Sequence, residues 1–176
     1  MAIIRQIAQL GRPVLRKVAA QVENHAAPEI RSLVEDMLLT VVDANGVGLA
    51  APQVHESVQL FIIAPRPNPR YPNASEMDPI IMMNPKLLWG SEEMEKGWEG
   101  CLSIPGIRGF VPRHKSIRVA FLGADGTTRE AELEGFVARI FQHEYDHLQG
   151  VVFLDRTDPR ELVMEKEYLH LMMNAA

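Results

Sequence analysis

The spacing of apolar residues changes from helical to strand-like and back again along this chain. Between Pro28 and Asp43 the apolar positions form one stripe with a 3.6-residue period, which predicts an amphipathic helix. The stripe consists of Ile30, Leu33, Val34, Met37, Leu38 and Val41. Strand-like runs follow, and a second helix is predicted from Gly135 to Gly150. Helices on both sides of a group of strands are typical of an α+β fold.

The strand-like runs are short and are separated by turn residues. The segment from Pro65 to Pro79 contains five prolines, so we predict a loop there. The predicted strands are Val58–Ile63, Ile80–Met83, Lys86–Trp89, Ser116–Leu122 and Thr127–Leu133. Asn84-Pro85 divides the second from the third, and the last two form a hairpin around the turn Gly123–Gly126.

A third helix is predicted at the C-terminal end. Asp158 can act as its N-cap and Pro159 suits its first turn, so we expect the helix to run from Asp158 to about Met173. A length of 176 residues corresponds to one domain of ordinary size. With no linker visible, we predict a single domain over 1–176, in which 158–176 is the C-terminal helix.

Composition excludes several classes of protein. The single cysteine cannot form an internal disulfide, which argues against a secreted, disulfide-stabilised scaffold. The net charge of −5 argues against binding nucleic acid by neutralising phosphates. No apolar run approaches the ~20 residues that span a bilayer, and the first residues lack the pattern of a signal peptide. We therefore expect a protein of a reducing, cytoplasm-like compartment.

The second predicted helix carries two histidines one turn apart. His143 and His147 lie on the same helix face, where both imidazoles can reach one small cation. Glu144 follows the first histidine and can act as a general base toward a water activated by that cation. The motif also arises by chance, in which case the histidines are ordinary surface or core residues. Taken alone, it leaves both interpretations open.

A third metal ligand would distinguish between chemistries. One class of zinc peptidases extends the motif with a histidine at the position that Phe153 occupies here, which disfavours that class. Downstream glutamates remain candidates, namely Glu161, Glu165 and Glu167. Upstream, Cys101 can supply a thiolate, and its neighbours suggest a tight loop rather than the interior of a strand. The alternative for Cys101 is a small buried apolar residue.

The glycine-rich segment Gly46–Gln53 is neither a dinucleotide-binding fingerprint nor a P-loop. The third glycine of the first motif is replaced by Ala51, and no Lys-Ser/Thr pair follows. Small residues here let a ligand approach the backbone closely, and the Gln53 amide can stabilise an oxyanion. A turn and packed strand with Gln53 on the surface is the simpler alternative.

Together, these three segments resemble the signature motifs of the peptide deformylase family. They read Gly46-Val-Gly48-Leu-Ala50-Ala51-Pro-Gln53, Glu99-Gly100-Cys101-Leu-Ser103 and Gln142-His143-Glu144-Tyr-Asp146-His147-Leu-Gln-Gly150. The resemblance implies a single α+β domain with small antiparallel or mixed sheets around a central metal-binding helix. It also implies a metal-dependent hydrolase that removes the formyl group from the N-terminal formyl-methionine of new polypeptides.

The resemblance also implies roles for individual residues. Cys101, His143 and His147 would hold one divalent metal, which is Fe²⁺ in vivo, with Zn²⁺, Ni²⁺ or Co²⁺ as substitutes. Glu144 would be the general base and then the acid, while Gln53 and the backbone N–H of Leu102 would face the oxyanion. The expected substrate-binding residues are Val47, Gly48, Gly100, Arg108, Phe136 and Ile140. Of these, Val47, Phe136 and Ile140 would line a methionine pocket that Arg108 borders, and Asp146 would support the ligands.

The remaining expectations concern partners and alternatives. The partners would be N-formylmethionyl nascent peptides, in a monomer of the bacterial cytoplasm rather than a processed organellar chain. The C-terminal segment has four acidic residues against Arg160 and Lys166, which disfavours docking on the ribosome beyond a transient contact. The competing functions are a metallopeptidase and a catalytically silent relative that binds peptide or metal.

Overall fold

Two antiparallel sheets and three α-helices form the fold in a computed structural model that describes residues 1–174. Ala175 and Ala176, which belong to the predicted C-terminal helix, lie outside the described residues. The helices are α1 (Pro28–Asp43), α2 (Gly135–Leu148) and α3 (Glu165–Asn174). The strands are β1 (Gly48–Ala50), β2 (Leu60–Ile63), β3 (Ile80–Gly90), β4 (Met94–Cys101), β5 (Ile104–His114), β6 (Ser116–Leu122), β7 (Thr128–Glu134) and β8 (Leu162–Met164).

The five-stranded sheet has the order β1-β2-β3-β6-β7 and is covered on both faces. Strand β2 is apolar throughout because alternate side chains enter different cores. Leu60 and Ile62 pack in the same core as Met37 of α1. Phe61 packs in the opposite core with Phe141 of α2. The second sheet, β4-β5-β8, lies beside α2, so this helix is central to the molecule, as the predicted fold class requires.

Helix α1 has the predicted bounds, but the two short strands predicted around Asn84-Pro85 are wrong as separate elements. They form the single strand β3, which is irregular between Met83 and Lys86. Asn84 takes a positive φ of 47°, and its side chain exchanges two hydrogen bonds of 2.8 Å with the backbone of Val22. The turn signal therefore marks a bulge that the neighbouring segment stabilises.

The region between Met94 and His114 contains a long hairpin that sequence analysis did not predict. Strands β4 and β5 pair from Met94↔His114 to Cys101↔Ile104, with only Leu102 and Ser103 between them. The tight turn predicted near Cys101 is present, but Cys101 itself is the last residue of a strand. Glycines and alternating charged residues conceal the strand pattern, because β4 is polar along most of its length.

The predicted C-terminal helix begins later than expected. Asp158 caps only a 3₁₀ turn, Pro159–Glu161, by accepting a 2.9 Å hydrogen bond from the backbone N–H of Arg160. Strand β8 then pairs with Ile107–Gly109 of β5, and α3 starts at Glu165. Pairing with a sheet edge therefore replaces the first two turns of the predicted helix. Within residues 1–174, no helix is long and apolar enough to span a membrane.

Phe141 joins α2 to the five-stranded sheet, so its truncation should destabilise the protein. Its ring is fully buried and meets Phe61 edge to face at 5.3 Å. We expect Phe141→Ala to lower the free energy of unfolding by about 3–5 kcal/mol, because it leaves a cavity that packed neighbours cannot fill. Urea denaturation with the metal content held constant measures this change. The half-exposed control Leu88→Ala should cost less than ~0.5 kcal/mol, and equal losses in both variants would contradict the assignment.

Candidate metal centre

Cys101, His143 and His147 meet at the centre of the molecule. One potential ligand atom from each lies within 4.8 Å of the others, and Sγ of Cys101 is 3.3 Å from Nε2 of His147. The cysteine comes from the end of β4, and the histidines come from successive turns of α2. The structure thus brings together the three predicted ligands, although they come from segments about 40 residues apart in sequence.

Glu99 orients the first histidine, and sequence analysis gave it no role. Nδ1 of His143 donates a 2.9 Å hydrogen bond to Oε2 of Glu99. Because a carboxylate only accepts, the proton of this bond lies on Nδ1, so the neutral form of the ring presents the lone pair of Nε2 to a metal. The position of Glu99, two residues before Cys101 on an alternating strand, was the available signal: both side chains lie on the same face.

Glu99 belongs to a buried network of opposite charges. Arg113 binds it through two hydrogen bonds of 2.9 and 3.0 Å, and Arg139 adds a third of 3.0 Å. Burial alone would raise the pKa of Glu99, but His143 and Arg113 outweigh it and hold the pKa well below its usual value. Asp146 joins the network through Arg113 at 2.6 Å and is not one of the grouped ligands. Asp146 therefore supports the metal centre indirectly, through Arg113.

Cys101 and His143 each shift the pKa of the other. Burial by itself raises the pKa of Cys101, yet the adjacent His147 and His143 rings hold that pKa well below the usual range. Burial lowers the pKa of His143, but Cys101 and Glu99 raise it well above its usual value. The thiolate form of Cys101, which is the form that binds metals, is thus favoured in place.

Glu144 lies beside the histidines with its carboxylate buried. Its Oε2 is a buried polar atom without a hydrogen-bond partner among the described residues. Burial raises the pKa of Glu144 to about 7, despite the opposing effect of the neighbouring histidines. Gly48 passes directly over this group: a Cβ atom there would stand 2.5 Å from Oε1 of Glu144. The position must therefore lack a side chain for the carboxylate to occupy this place.

Gln53 and Leu102 flank the cysteine. Gln53 is buried rather than on the surface, and Nε2 lies 3.5 Å from Sγ of Cys101 and 3.2 Å from Oγ of Ser103. Its Oε1 accepts a 2.9 Å hydrogen bond from the backbone N–H of Ala50, which fixes the orientation of the amide. Leu102 occupies the turn next to Cys101, and both residues border the same cleft.

The cleft above the centre encloses about 460 Å³, including its open mouth. Five of the six predicted substrate-binding residues line it: Val47, Gly48, Gly100, Phe136 and Ile140. Besides Glu99, sequence analysis gave no role to several residues that line the cleft, among them Arg70, Tyr71, Trp98 and Arg139. Arg70 and Tyr71 come from the proline-rich loop, and Tyr71 packs against Phe136 with ring centroids 5.4 Å apart. No local sequence signal indicated that this loop returns to the centre.

Arg108, predicted to border the methionine pocket, does not line the cleft. It is 1% exposed and lies behind Gly100, whose Cβ position would be 3.0 Å from Cδ of Arg108. Glu165 of α3 accepts hydrogen bonds of 3.1 and 2.8 Å from its guanidinium group. The guanidinium group thus lies behind the wall of the cleft, where it also donates a 3.4 Å hydrogen bond to the carbonyl of Arg70.

The downstream glutamates considered as ligands have other partners. Glu165 pairs with Arg108, and Glu161 accepts hydrogen bonds of 2.7 and 2.9 Å from Nζ of Lys96. The carboxylate of Glu167 lies 3.6 Å from Nδ1 of His170. Within residues 1–174, the group that combines at least three potential ligands is the one containing Cys101. The donor set is therefore a thiolate and two imidazoles, which differs from that of the peptidases with a downstream glutamate or histidine.

Comparison with known proteins identifies the family. The family model for polypeptide deformylases matches residues 4–163. Peptide deformylase 2 of Nostoc sp. is 53% identical over 167 residues, which are 94% of this chain and 93% of that protein. Peptide deformylase 1 of Bordetella pertussis is 47% identical over 154 residues, or 88% of each chain.

Comparison with solved structures points to the same family. The Met-Ala-Ser-bound class I type b peptide deformylase of Acinetobacter baumannii superposes with a TM-score of 0.85 at 43% identity, covering 89% of this chain and 99% of that one. The peptide deformylase of Thermotoga maritima gives a TM-score of 0.79 at 38% identity with the same coverage. Matched over most of its length in sequence and in fold, the chain belongs to the polypeptide deformylase family.

Proposed function

We propose that this chain hydrolyses the formyl amide of N-formylmethionyl peptides and releases formate. The observation that carries the proposal is the position of Glu144, whose buried carboxylate stands beside Cys101, His143 and His147 at the bottom of the cleft. The family provides the reaction class, since the related proteins are named peptide deformylases. The Acinetobacter protein is described with bound Met-Ala-Ser, a peptide that begins with methionine.

The donor set fits a divalent metal ion. Two ligands of one tetrahedral metal, a thiolate and an imidazole, stand about 3.5 Å apart when their bonds have ordinary lengths. The 3.3 Å between Cys101 and His147 is close to this separation. When bound, the metal would polarise a water molecule and lower its pKa. As the family resemblance implies, we propose Fe²⁺ in vivo, although Zn²⁺, Ni²⁺ and Co²⁺ also suit a Cys-His₂ set.

Glu144 would carry the protons of the reaction. With a pKa of about 7 before any metal binds, its carboxylate can accept a proton near neutral pH and return it. We propose that it takes a proton from the attacking water and then donates one to the leaving amine. Oε2 of Glu144 has no hydrogen-bond partner among the described residues, so this oxygen can accept a proton from the attacking water.

The oxyanion that forms on the formyl oxygen requires hydrogen-bond donors. Gln53 is held by Ala50 with its amide nitrogen beside Cys101, and we propose that the N–H of this amide that does not bind Ser103 donates to the oxyanion. The backbone N–H of Leu102, in the turn after Cys101, would be the second donor. Both residues line the cleft together with Cys101.

The substrate backbone would bind between two sheet edges. Strand β1 is an outer strand of the five-stranded sheet and β4 an outer strand of the other, and both border the cleft. An extended peptide can add to such edges through backbone groups near Val47, Gly48 and Gly100. We propose that the methionine side chain then enters the apolar part of the cleft formed by Val47, Phe136 and Ile140.

The thiolate also bears on the choice of substrate. Its negative charge tempers the electrophilic character of the centre compared with a neutral ligand, and a formyl carbonyl is less hindered than an ordinary peptide carbonyl. We therefore favour deformylation over general peptide hydrolysis. The intact Glu144 and Gln53 argue against a silent binding protein. We further propose one catalytic domain over 1–176, acting as a monomer in a bacterial cytoplasm with no more than transient ribosome contact.

The substrate class can be tested directly. The protein would be purified anaerobically, loaded with Fe²⁺ or Zn²⁺, and assayed for formate from formyl-Met-Ala-Ser and for acetate from acetyl-Met-Ala-Ser. We expect formate release that is fastest with Fe²⁺, is lost on exposure to air, and greatly exceeds release of acetate. An absence of formate release, or equal cleavage of both peptides, would refute the proposed function.

A second prediction concerns the general base. Glu144→Gln keeps the size of the side chain but removes its basicity, so kcat should fall by about 10²–10⁴-fold while bound metal stays at the wild-type level. Metal content by mass spectrometry and formate release measure the two quantities separately. Full activity in this variant would exclude Glu144 as the base.

The same variant reports on the ionisation of Glu144 in the metal-free protein. The folded-state pKa of about 7 lies above an ordinary glutamate pKa of ~4.3, so the folded protein binds this proton more tightly than the unfolded chain. The stability due to this proton is present below pH ~4 and is lost as the pH rises through about 7. Glu144→Gln should therefore lose less stability than wild type over this interval, as measured by urea unfolding. Parallel curves would contradict the raised pKa.

A further inference from the structure

Resting on the proposed function, we infer that Arg70 gives the enzyme a preference for substrates with an acidic side chain at one of the two residues after the formylmethionine. Arg70 lies on the loop that follows β2 and borders the cleft beside Tyr71. The residue is half-buried and lines the cleft, where a bound peptide can reach it. A carboxylate is the complementary group for such a cation.

Arg70 differs from the other arginines around the centre in having no carboxylate partner. Arg108 pairs with Glu165, Arg139 with Glu99, and Arg113 with both Glu99 and Asp146. Among residues 1–174, no acidic side chain lies within ion-pair distance of Arg70. Its charge is therefore available to a ligand, whereas the charges of its neighbours are already compensated.

The backbone of Arg70 is held in place although it belongs to a loop. Its N–H donates a 2.9 Å hydrogen bond to Oδ1 of Asn68, and its carbonyl accepts a 3.4 Å hydrogen bond from Nη2 of Arg108. Its guanidinium carbon lies 5.9 Å from the ring centre of Tyr71, and that ring packs on Phe136. Such preorganisation lowers the entropic cost of binding a carboxylate at this position.

A second cavity adjoins the cleft at Arg70. This cavity shares Arg70, Tyr71 and Phe136 with the cleft and extends to Tyr168 and Met172 of α3. Among the described residues that line this second cavity none is acidic, and Arg70 is the charged one. Because Phe136 of the proposed methionine pocket and Arg70 line both cavities, we place the residues after methionine beside Arg70.

The expected preference is modest because the ion pair would be partly exposed. Such pairs contribute up to about 1 kcal/mol, which corresponds to a two- to fivefold change in an equilibrium constant. The effect should appear in KM more than in kcat, since Arg70 lies away from the reacting carbonyl, and it should weaken at high ionic strength.

The test compares matched peptides in which only one charge changes. Formyl-Met-Glu-Ala-amide is compared with its Gln and Lys analogues, and formyl-Met-Ala-Glu-amide with the same analogues at the third position. Amidated ends remove the terminal carboxylate that would otherwise mask the effect. For the wild type we expect kcat/KM to be about two- to fivefold higher for Glu than for Gln at one of these positions, and lowest for Lys.

Variants assign the preference to its residue. Arg70→Gln should abolish it, and Arg70→Lys should retain part of it because the charge remains. Arg66→Gln is the matched control: Arg66 lies on the same loop but donates to the carbonyl of Val42 at 2.8 Å, away from the cleft. It should keep the full preference.

The outcomes are distinguishable from failure of the proposed function. If neutral peptides release no formate, the proposed reaction itself is wrong. If they release formate but Glu, Gln and Lys are equivalent at both positions, only the role of Arg70 is refuted. A preference that persists in Arg70→Gln would likewise overturn it.

Discussion

The carboxylate of Glu99 is the point at which three structural elements are joined. It lies on β4 and accepts hydrogen bonds from Arg113 on β5 and from Arg139 and His143 on α2. Burying this charge costs free energy unless it is fully paired, and removing one partner would leave another charge uncompensated. The hairpin and α2 are thus held in one relative position. That position brings Cys101 next to the two histidines.

Helix α2 packs into an apolar core on one side and carries buried polar groups on the other. One side carries Phe141 and Ala138 into the apolar core under the five-stranded sheet. The other carries buried polar groups, His143 and His147 among them, toward the second sheet. A polar helix face is stable in the interior only where partners exist, and the β4–β5 hairpin supplies them. The metal centre and the packing of the two sheets therefore depend on the same contacts.

The sequence predicted those features whose signal lies within one short segment of the chain. The stripe of α1 and the motif around His143 report on neighbours in the chain, and the fold class and family inferred from such signals are confirmed. The hairpin β4–β5 was missed because its stability comes from pairing and from buried ions rather than from apolar alternation. The start of α3 was misplaced because β8 competes with helix for the same residues. Arg70 and Tyr71 reach the cleft through a loop whose path no periodicity encodes.

The glycines around the cleft show how the centre combines charge with close packing. Sequence analysis interpreted the small residues near Gly48 as space for a ligand, but part of that space is taken by Glu144. Gly97 likewise faces the guanidinium group of Arg139, and Gly100 faces Arg108. In each case the glycine leaves room for a charged side chain that comes from another element. Because a Cβ at any of these positions would lie within about 3 Å of that charged side chain, the glycines and the ions form matched pairs. Substitution at these glycines should therefore act through the displaced charge, and so through the geometry of the centre, more than through backbone strain.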